Sequence, residues 1–384
     1  MRPMISIEKN VHQERYSFVF ILLVALMVGV GFVTLYSGSV HYAQRFFRYP
    51  GYFLVRQGVS IGIGLVCLLF FTFVRLASLR KALSPLILVA FALCVCTFFP
   101  GIGSTRNGAT RWIKVFDINF QPSEFVKLVL IVFLANFFDK HREHFDTPIR
   151  SIFPPFVVSV IFVSVVFFQN DFSTAMFLLF ITVVMFFIAG APLWWFLRGI
   201  VVLAPIAVLM IVTSTNRLRR VLSFLYPDRD PLGAGYQVNA ALEALMDGGL
   251  WGRGIGNGVR KIASVPEVYS DFIFVVIGEE MGFIGVCLYL MLLFAFTLTG
   301  ISIALRCANR FNTFLAFGAS AAIVLQSILN VAVVVRLVPA TGIPLPFFSS
   351  GGSSIVVTLS LCGLIINVSG DEKIRREREE TVFV

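Results

Sequence analysis

The sequence predicts an all-α integral membrane protein of about ten transmembrane helices, with both termini cytoplasmic and one long extracytoplasmic loop over about 214–270. Three observations carry that prediction. The 384-residue chain is 58% hydrophobic, with a mean hydropathy of +0.88. Charged residues make up 14% of it, against about 25% in an ordinary soluble domain. Ten apolar runs approach the roughly 20 residues needed to cross a bilayer.

The runs lie near 17–37, 57–74, 83–99, 122–138, 152–168, 174–190, 192–213, 271–300, 311–335 and 353–368. They read as one polytopic membrane domain over 1–384: a tail (1–16), seven spans (17–213), the loop (214–270), three spans (271–368) and a second tail (369–384). The first run is not followed by a small-residue cleavage site, so it is expected to be a retained helix and not a removed signal peptide. Orientation comes from Lys and Arg in the short loops. With the N-terminus inside, the inner segments hold fifteen of them and the short outer loops seven. The loops at 101–120, 214–270 and 336–352 then share the outer face.

The net charge of +10 is largely this topology signal, together with attraction to anionic lipid. It calls for no nucleic-acid partner. The six cysteines (67, 94, 96, 287, 307 and 362) fall in or beside apolar runs without metal spacing and read as small core residues. The four histidines are too scattered for a His-based site. Ionisable groups gather at the outer ends of the spans, whereas a solute transporter tends to place them near the midplane.

Five constellations stand out. In Gln121-Pro122-Ser123-Glu124-Phe125-Val126-Lys127, Pro122 suits a first helical turn, Glu124 suits the positive end of the helix dipole, and Lys127 follows on the same face at pairing distance. Just upstream, Arg111-Trp112 reads either as an interfacial anchor or as a phosphate and sugar contact. Asp171 or Ser173 in Gln169-Asn170-Asp171-Phe172-Ser173-Thr174 caps the next span. In the long loop, Arg217, Arg219 and Arg220 precede an apolar stretch, which suggests an amphipathic helix on the membrane surface. The glycine run from Gly248 to Gly258 could let backbone N–H groups approach an anion, with Arg253, Arg260 and Lys261 beside it. No strand precedes the run, which argues against a dinucleotide fold.

Asp271 stands between a polar loop and an apolar run, where an ionised side chain is costly unless something uses it. Glu279 and Glu280 follow deeper in the same span and read as hydrogen-bonded groups inside the bundle, with a proton path as the other reading. Finally, Val338 to Ser354 is an irregular Pro/Gly segment. Such backbone is tolerated at membrane depth where protein or a water-filled cavity covers it, so it is expected to line a cavity that opens outward, with Ser353 among the substrate contacts.

Taken in order over residues 107–354, these blocks resemble the SEDS family (shape, elongation, division and sporulation proteins of the RodA and FtsW type). The matching stretches are Arg111-Trp112-Ile113, Gln121 to Lys127, Asp171 with Thr174-Ala175, Gly235-Tyr236-Gln237, Gly252 to Gly258, Pro266 to Gly282, and Pro339 to Ser354. Tyr269-Ser270 stands where His-Thr is usual, and Ser350 where a Tyr is usual. The resemblance implies polymerisation of lipid II, an undecaprenyl-diphosphate-linked disaccharide-pentapeptide. It also implies a class B penicillin-binding protein as partner, other membrane proteins of the division or elongation machinery, and a place in the bacterial cytoplasmic membrane, with a lean toward the septum. The family's catalytic aspartate falls on Asp271, and its polar pair near the fourth span on Glu124 and Lys127.

The expected chemistry is a single inverting displacement. Asp271 would take the proton from the attacking sugar hydroxyl. Arg111, Lys127, Arg253, Arg260 and Lys261 would stabilise the diphosphate leaving group, and a divalent cation, Mg or Mn, would suit that diphosphate as a cofactor. Two other classes stay open at this point. A flippase of the lipid-linked precursor would make no polymer in detergent, and a division scaffold would tolerate loss of the Asp271 carboxylate.

Overall fold

A computed structural model of the chain describes residues 3–106, 108–115, 118–141, 151–226, 234–258 and 268–382. In chain order the elements are α1 (Pro3–Phe47), α2 (Tyr52–Phe73), α3 (Leu76–Lys81), α4 (Leu83–Cys96), β1 (Gly103–Arg106), β2 (Ala109–Val115), β3 (Ile118–Phe120), α5 (Pro122–His141), α6 (Phe153–Phe168), α7 (Phe172–Ala189), α8 (Leu193–Val212), α9 (Thr215–Leu225), α10 (Ala234–Gly248), α11 (Phe274–Arg306), α12 (Arg310–Val334) and α13 (Gly352–Val382). Each of the ten apolar runs falls on a helix.

Among the described residues, seven helices are long and apolar enough to cross a membrane, the last of them over the Gly352–Gly370 part of α13. The apolar α4 and α6 are shorter. The 20-residue α5 carries Glu124, Lys127, Asp139 and Lys140. The first two of those charges are buried, because α5 is packed on several sides. Thirteen of its residues are buried, from Pro122 to Phe138, and it packs against α4, α7, α12 and α13. By contrast α8 contributes no buried residue, carries Pro205 in its interior and turns large apolar side chains such as Leu197, Val201 and Leu209 outward.

The ends of the helices follow local chemistry. Asp171 caps α7, its carboxylate accepting from the Thr174 N–H at 3.3 Å, and Gly190 closes the same helix in the left-handed conformation. Asn309 caps α12 through the Phe311 N–H at 3.0 Å. A three-stranded antiparallel sheet, β1-β2-β3, fills the α4–α5 connection, with Ser104 opposite Trp112 and Lys114 opposite Asn119. It is a small β addition to the helical bundle.

The span begun at Asp271 in the sequence reading becomes helical only at Phe274, and it is broken at Gly282. Gly282 has φ +65°, ψ −163°, outside helical space. The glycine run docks into this break. Arg253 and Gly254 donate their N–H groups to the carbonyls of Glu279 and Glu280, at 3.0 and 2.9 Å, while Phe283 and Ile284 donate to Gly249 and Leu250, at 2.9 and 3.3 Å. A broken helix leaves backbone groups that cost several kcal/mol each, on the order of 2–7, if unpaired away from water, and the glycine run supplies the partners.

Candidate functional site

One end of the bundle gathers the turn at Gln169–Asp171, the sheet, α9, the turn before α11 and the α12–α13 segment. The sheet is tied to the α6–α7 turn by Thr110 N–H to Gln169 O at 3.0 Å and by the Asn170 amide to Gly108 O at 3.2 Å. Between these pieces lies a cavity of about 570 Å³. Its polar wall is Arg111, Asn170, Asp171, Ser173, Arg217, Arg220, Ser270, Asp271 and Thr341. Its apolar wall includes Phe177 and Phe180 of α7, Ile211 of α8 and Leu329 of α12.

Asp271 reaches this cavity because its backbone is pinned. The Asn330 side-chain amide of α12 donates to Asp271 O at 2.7 Å and to Ile343 O at 2.9 Å. One buried amide thus fixes both the turn bearing the carboxylate and the segment across from it. The segment passes so close that a Cβ placed on Gly342 would lie 3.3 Å from Oδ2 of Asp271, and Gly342 takes φ +72° there. No ion pair to Asp271 occurs among the described residues.

Asp171, the other cavity carboxylate, is fully engaged. Beyond capping α7 it pairs with Arg111 at 3.1 Å and accepts from the Gln121 side-chain amide at 3.1 Å. Arg111 in turn lies with its guanidinium 5.7 Å from the Trp112 ring centroid. Its Nε, like the Thr341 hydroxyl, is buried without a hydrogen-bond partner among the described residues. Buried polar atoms of this kind call for a partner.

Glu124 and Lys127 form the pair their spacing suggests, at 2.7 Å, but fully inside the protein. Lys127 also donates to Gln326 Oε1 at 2.6 Å and lies 5.5 Å from the Phe177 ring centroid, behind the cavity wall. Gln326 passes the connection on to Pro344 O at 2.8 Å. Gln326 and Asn330 are one helical turn apart on α12, so a single helix face holds the α12–α13 segment at two points.

The remaining site residues of the sequence reading lie elsewhere. Ser353 is a buried staple. It accepts from the Gln121 N–H at 2.8 Å and donates to Asn119 O at 3.3 Å. Arg253 is exposed, paired with Asp247 at 3.3 Å, and does not line the cavity. The N–H groups of Gly252, Arg253, Gly254 and Asn257 all bond to backbone carbonyls, so none of these four is offered to an anion. Arg260 and Lys261 fall outside the described residues.

Cations at the cavity come instead from α9. Arg217 donates to Met210 O at 3.1 Å and lies over the rings of Phe167 and Phe172, at 4.4 and 5.1 Å. Burial draws its guanidinium below the ordinary arginine value. Arg220 joins it at the cavity wall. The sequence showed both only as part of a surface helix. Asn330 and Gln326 were missed as well, although two amides four residues apart inside an apolar run were the available signal.

Among the described residues no three His, Cys, Asp or Glu side chains come together as a metal site. Asp171 and Asp271 share the cavity, but Arg111 and Gln121 already occupy Asp171, so these residues do not form a protein-held metal centre.

Comparison with known proteins follows the same lines. A family model described as "Cell cycle protein", for FtsW, RodA and SpoVE, matches residues 17–374. A protein of Trichlorobacter lovleyi named probable peptidoglycan glycosyltransferase FtsW is 35% identical over 368 residues, covering 96% of this chain and 97% of that one. Stage V sporulation protein E of Bacillus subtilis is 35% identical over 350 residues, covering 91% and 95%. Among solved structures, a chain from a study of polymerization and crosslinking by a peptidoglycan synthase complex superposes with a TM-score of 0.77 at 28% identity, covering 92% and 97%. The rod shape determining protein RodA of Thermus thermophilus gives 0.66 at 27% identity, covering 92% and 96%.

Proposed function

The chain belongs to the cell cycle protein family of FtsW, RodA and SpoVE, and on that premise we propose that it is a peptidoglycan glycosyltransferase that joins lipid II units into glycan strands. It is a multi-pass membrane protein by its apolar helices and its family. The reading extends to the bacterial cytoplasmic membrane, with the cavity on the outer face. The relatives named FtsW support the division type and hence the septum. A class B penicillin-binding protein is the proposed partner, supported by likeness to a chain of a synthase complex, together with other membrane proteins of the same machinery.

One observation carries the reading: the Asp271 carboxylate, which has no ion-pair partner among the described residues, opens into the same cavity as Arg111, Arg217 and Arg220. Glycosyl transfer from a lipid diphosphate needs those two chemistries side by side. Asp271 accepts the proton of the acceptor hydroxyl as it attacks the anomeric carbon. The three guanidiniums stabilise the charge that develops on the departing diphosphate, and fixed charge of this kind often lowers such a barrier more than any other single effect. With one carboxylate lining the cavity free of an ion pair among the described residues, the displacement is read as single and inverting. Glu124 and Lys127 support the cavity from behind Phe177. A divalent cation, Mg or Mn, belongs in this scheme only as a companion of the substrate's diphosphate, and no step is assigned to it.

The test is glycan polymerisation from purified lipid II in detergent, with the partner added where needed. Detergent removes any contribution from transport. Wild type should yield polymer, and Asp271→Asn should yield none while eluting and melting like wild type. Wild-type rates from Asp271→Asn would sink the assignment of the base.

A further inference from the structure

Arg336 stands one residue beyond the C-cap of α12, in a conformation side chains rarely adopt. Its φ is +58°, in the left-handed region that disfavours residues with a Cβ. Such a conformation persists where surrounding structure fixes it. Here the guanidinium crosses to a different part of the chain: Nη2 donates to Phe224 O at 3.3 Å. Phe224 is in the last turn of α9, where carbonyls have no partner within the helix and where a cation meets the negative end of the helix dipole.

Around this contact lies a crevice of about 10 Å³, at the lower limit for a single water. The guanidinium contact to Phe224 O at 3.3 Å is direct. Arg220, Val338 and Ala340 line both this crevice and the main cavity. Arg336 thus joins the helix that brings Arg217 and Arg220 to the cavity to the segment that brings Thr341 and Gly342 up to Asp271. The flanking helices touch α9 as well: Arg217 donates to Met210 O of α8, and Gly235, Val238 and Asn239 of α10 line the same crevice.

We infer that Arg336 is a positioning residue: it caps α9 and locks the cationic wall of the cavity in register with the wall that faces Asp271. It touches no reacting atom. This rests on the glycosyltransferase reading for its effect on turnover, but not for its effect on α9.

The experiment compares wild type with Arg336→Gly and Arg336→Lys as full-length chains in lipid nanodiscs. Gly accepts φ +58° without strain, so Arg336→Gly removes the whole side chain without adding backbone strain and should fold. Amide exchange over residues 215–225 should rise about tenfold in Arg336→Gly, as expected for loss of one charge-assisted cap, with the rest of the bundle unchanged. Arg336→Lys should restore part of that protection. With lipid II, KM should rise about tenfold in Arg336→Gly while kcat stays within about twofold, since a misplaced cation weakens binding of the diphosphate before it affects the base. Unchanged exchange over 215–225, or a rise spread over the whole bundle, overturns the latch. A fall in kcat with KM unchanged overturns the positioning role. A wild-type chain that makes no polymer overturns the glycosyltransferase reading instead, and the exchange measurement still decides the latch.

Discussion

Arg111 of β2 and Asp171, the cap of α7, meet in an ion pair of 3.1 Å at the mouth of the cavity. The pair joins the only sheet among the described residues to the helical bundle. It also distinguishes the two cavity carboxylates: Asp171 is committed to the ion pair, the Gln121 amide and the α7 cap, whereas Asp271 has no ion-pair partner among the described residues. The Asp171 side chain is 1% exposed and that of Arg111 26%, so the pair is anchored on its acidic side and reachable by substrate on its basic side.

Asp171→Ala removes the cap, the ion pair and the Gln121 contact together. Breaking a buried pair by deleting one partner costs about 3–5 kcal/mol; partial exposure of Arg111 reduces this to about 2–3 kcal/mol. Asp171→Asn keeps a capping oxygen and should lose about half as much. Thermal unfolding in detergent measures both, and equal losses for the two variants would contradict the division between cap and ion pair.

Lys127→Met strands the Glu124 carboxylate in the protein interior and should destabilise by about 3–5 kcal/mol. Glu124→Gln combined with Lys127→Met should recover most of that stability. Polymerisation should not recover with it: Gln326 loses its anchor, and the segment facing Asp271 loses one of its two supports, for a loss of about tenfold or more in kcat. A double variant that is both stable and fully active would remove any role for this pair in shaping the cavity.

Gly282→Ala places a Cβ against the backbone of Gly252 and Leu250 at φ +65°. The conformation alone costs about 1–3 kcal/mol for a residue with a Cβ, and the collision pushes the glycine run out of the break in α11. Limited proteolysis should then cut between residues 249 and 258, where wild type resists.

Arg217→Met probes a trade between fold and site. Burial disfavours the charged guanidinium: its pKa is lowered in the folded state, so the charge costs stability at every pH below that lowered value. Losing the Met210 carbonyl contact and the two ring contacts offsets the gain. The melting temperature should therefore shift little, by less than about 1 kcal/mol in free energy, while KM for lipid II rises about tenfold. A change confined to stability would place Arg217 outside the substrate site.

The spans were legible because apolar length is a direct requirement of the bilayer, and each predicted run is a helix. The Glu124–Lys127 pair was legible from its spacing of three. Its depth was not, because burial of α5 depends on helices such as α12 and α13, about 200 residues away in sequence. The sheet escaped because its strands are short, of four, seven and three residues. The glycine run illustrates a deeper limit. Glycines signal close approach of backbone but not what approaches, and here the visitor is the broken helix of its own chain. Arg217 and Arg220 read as a surface feature because only the fold turns that surface into a cavity wall.

The absence of buried residues on α8 bears on how such a chain changes over time. Among the described residues no neighbour buries its side chains, and where lipid covers them Leu, Val, Ile and Phe are accepted alike. Substitutions there are filtered for oiliness and helicity but scarcely for shape. Ahead of Met210 and Ile211, which meet Arg217 and the cavity, the helix can drift in identity while the cavity stays fixed, and that stretch is where reporters or affinity handles can be introduced.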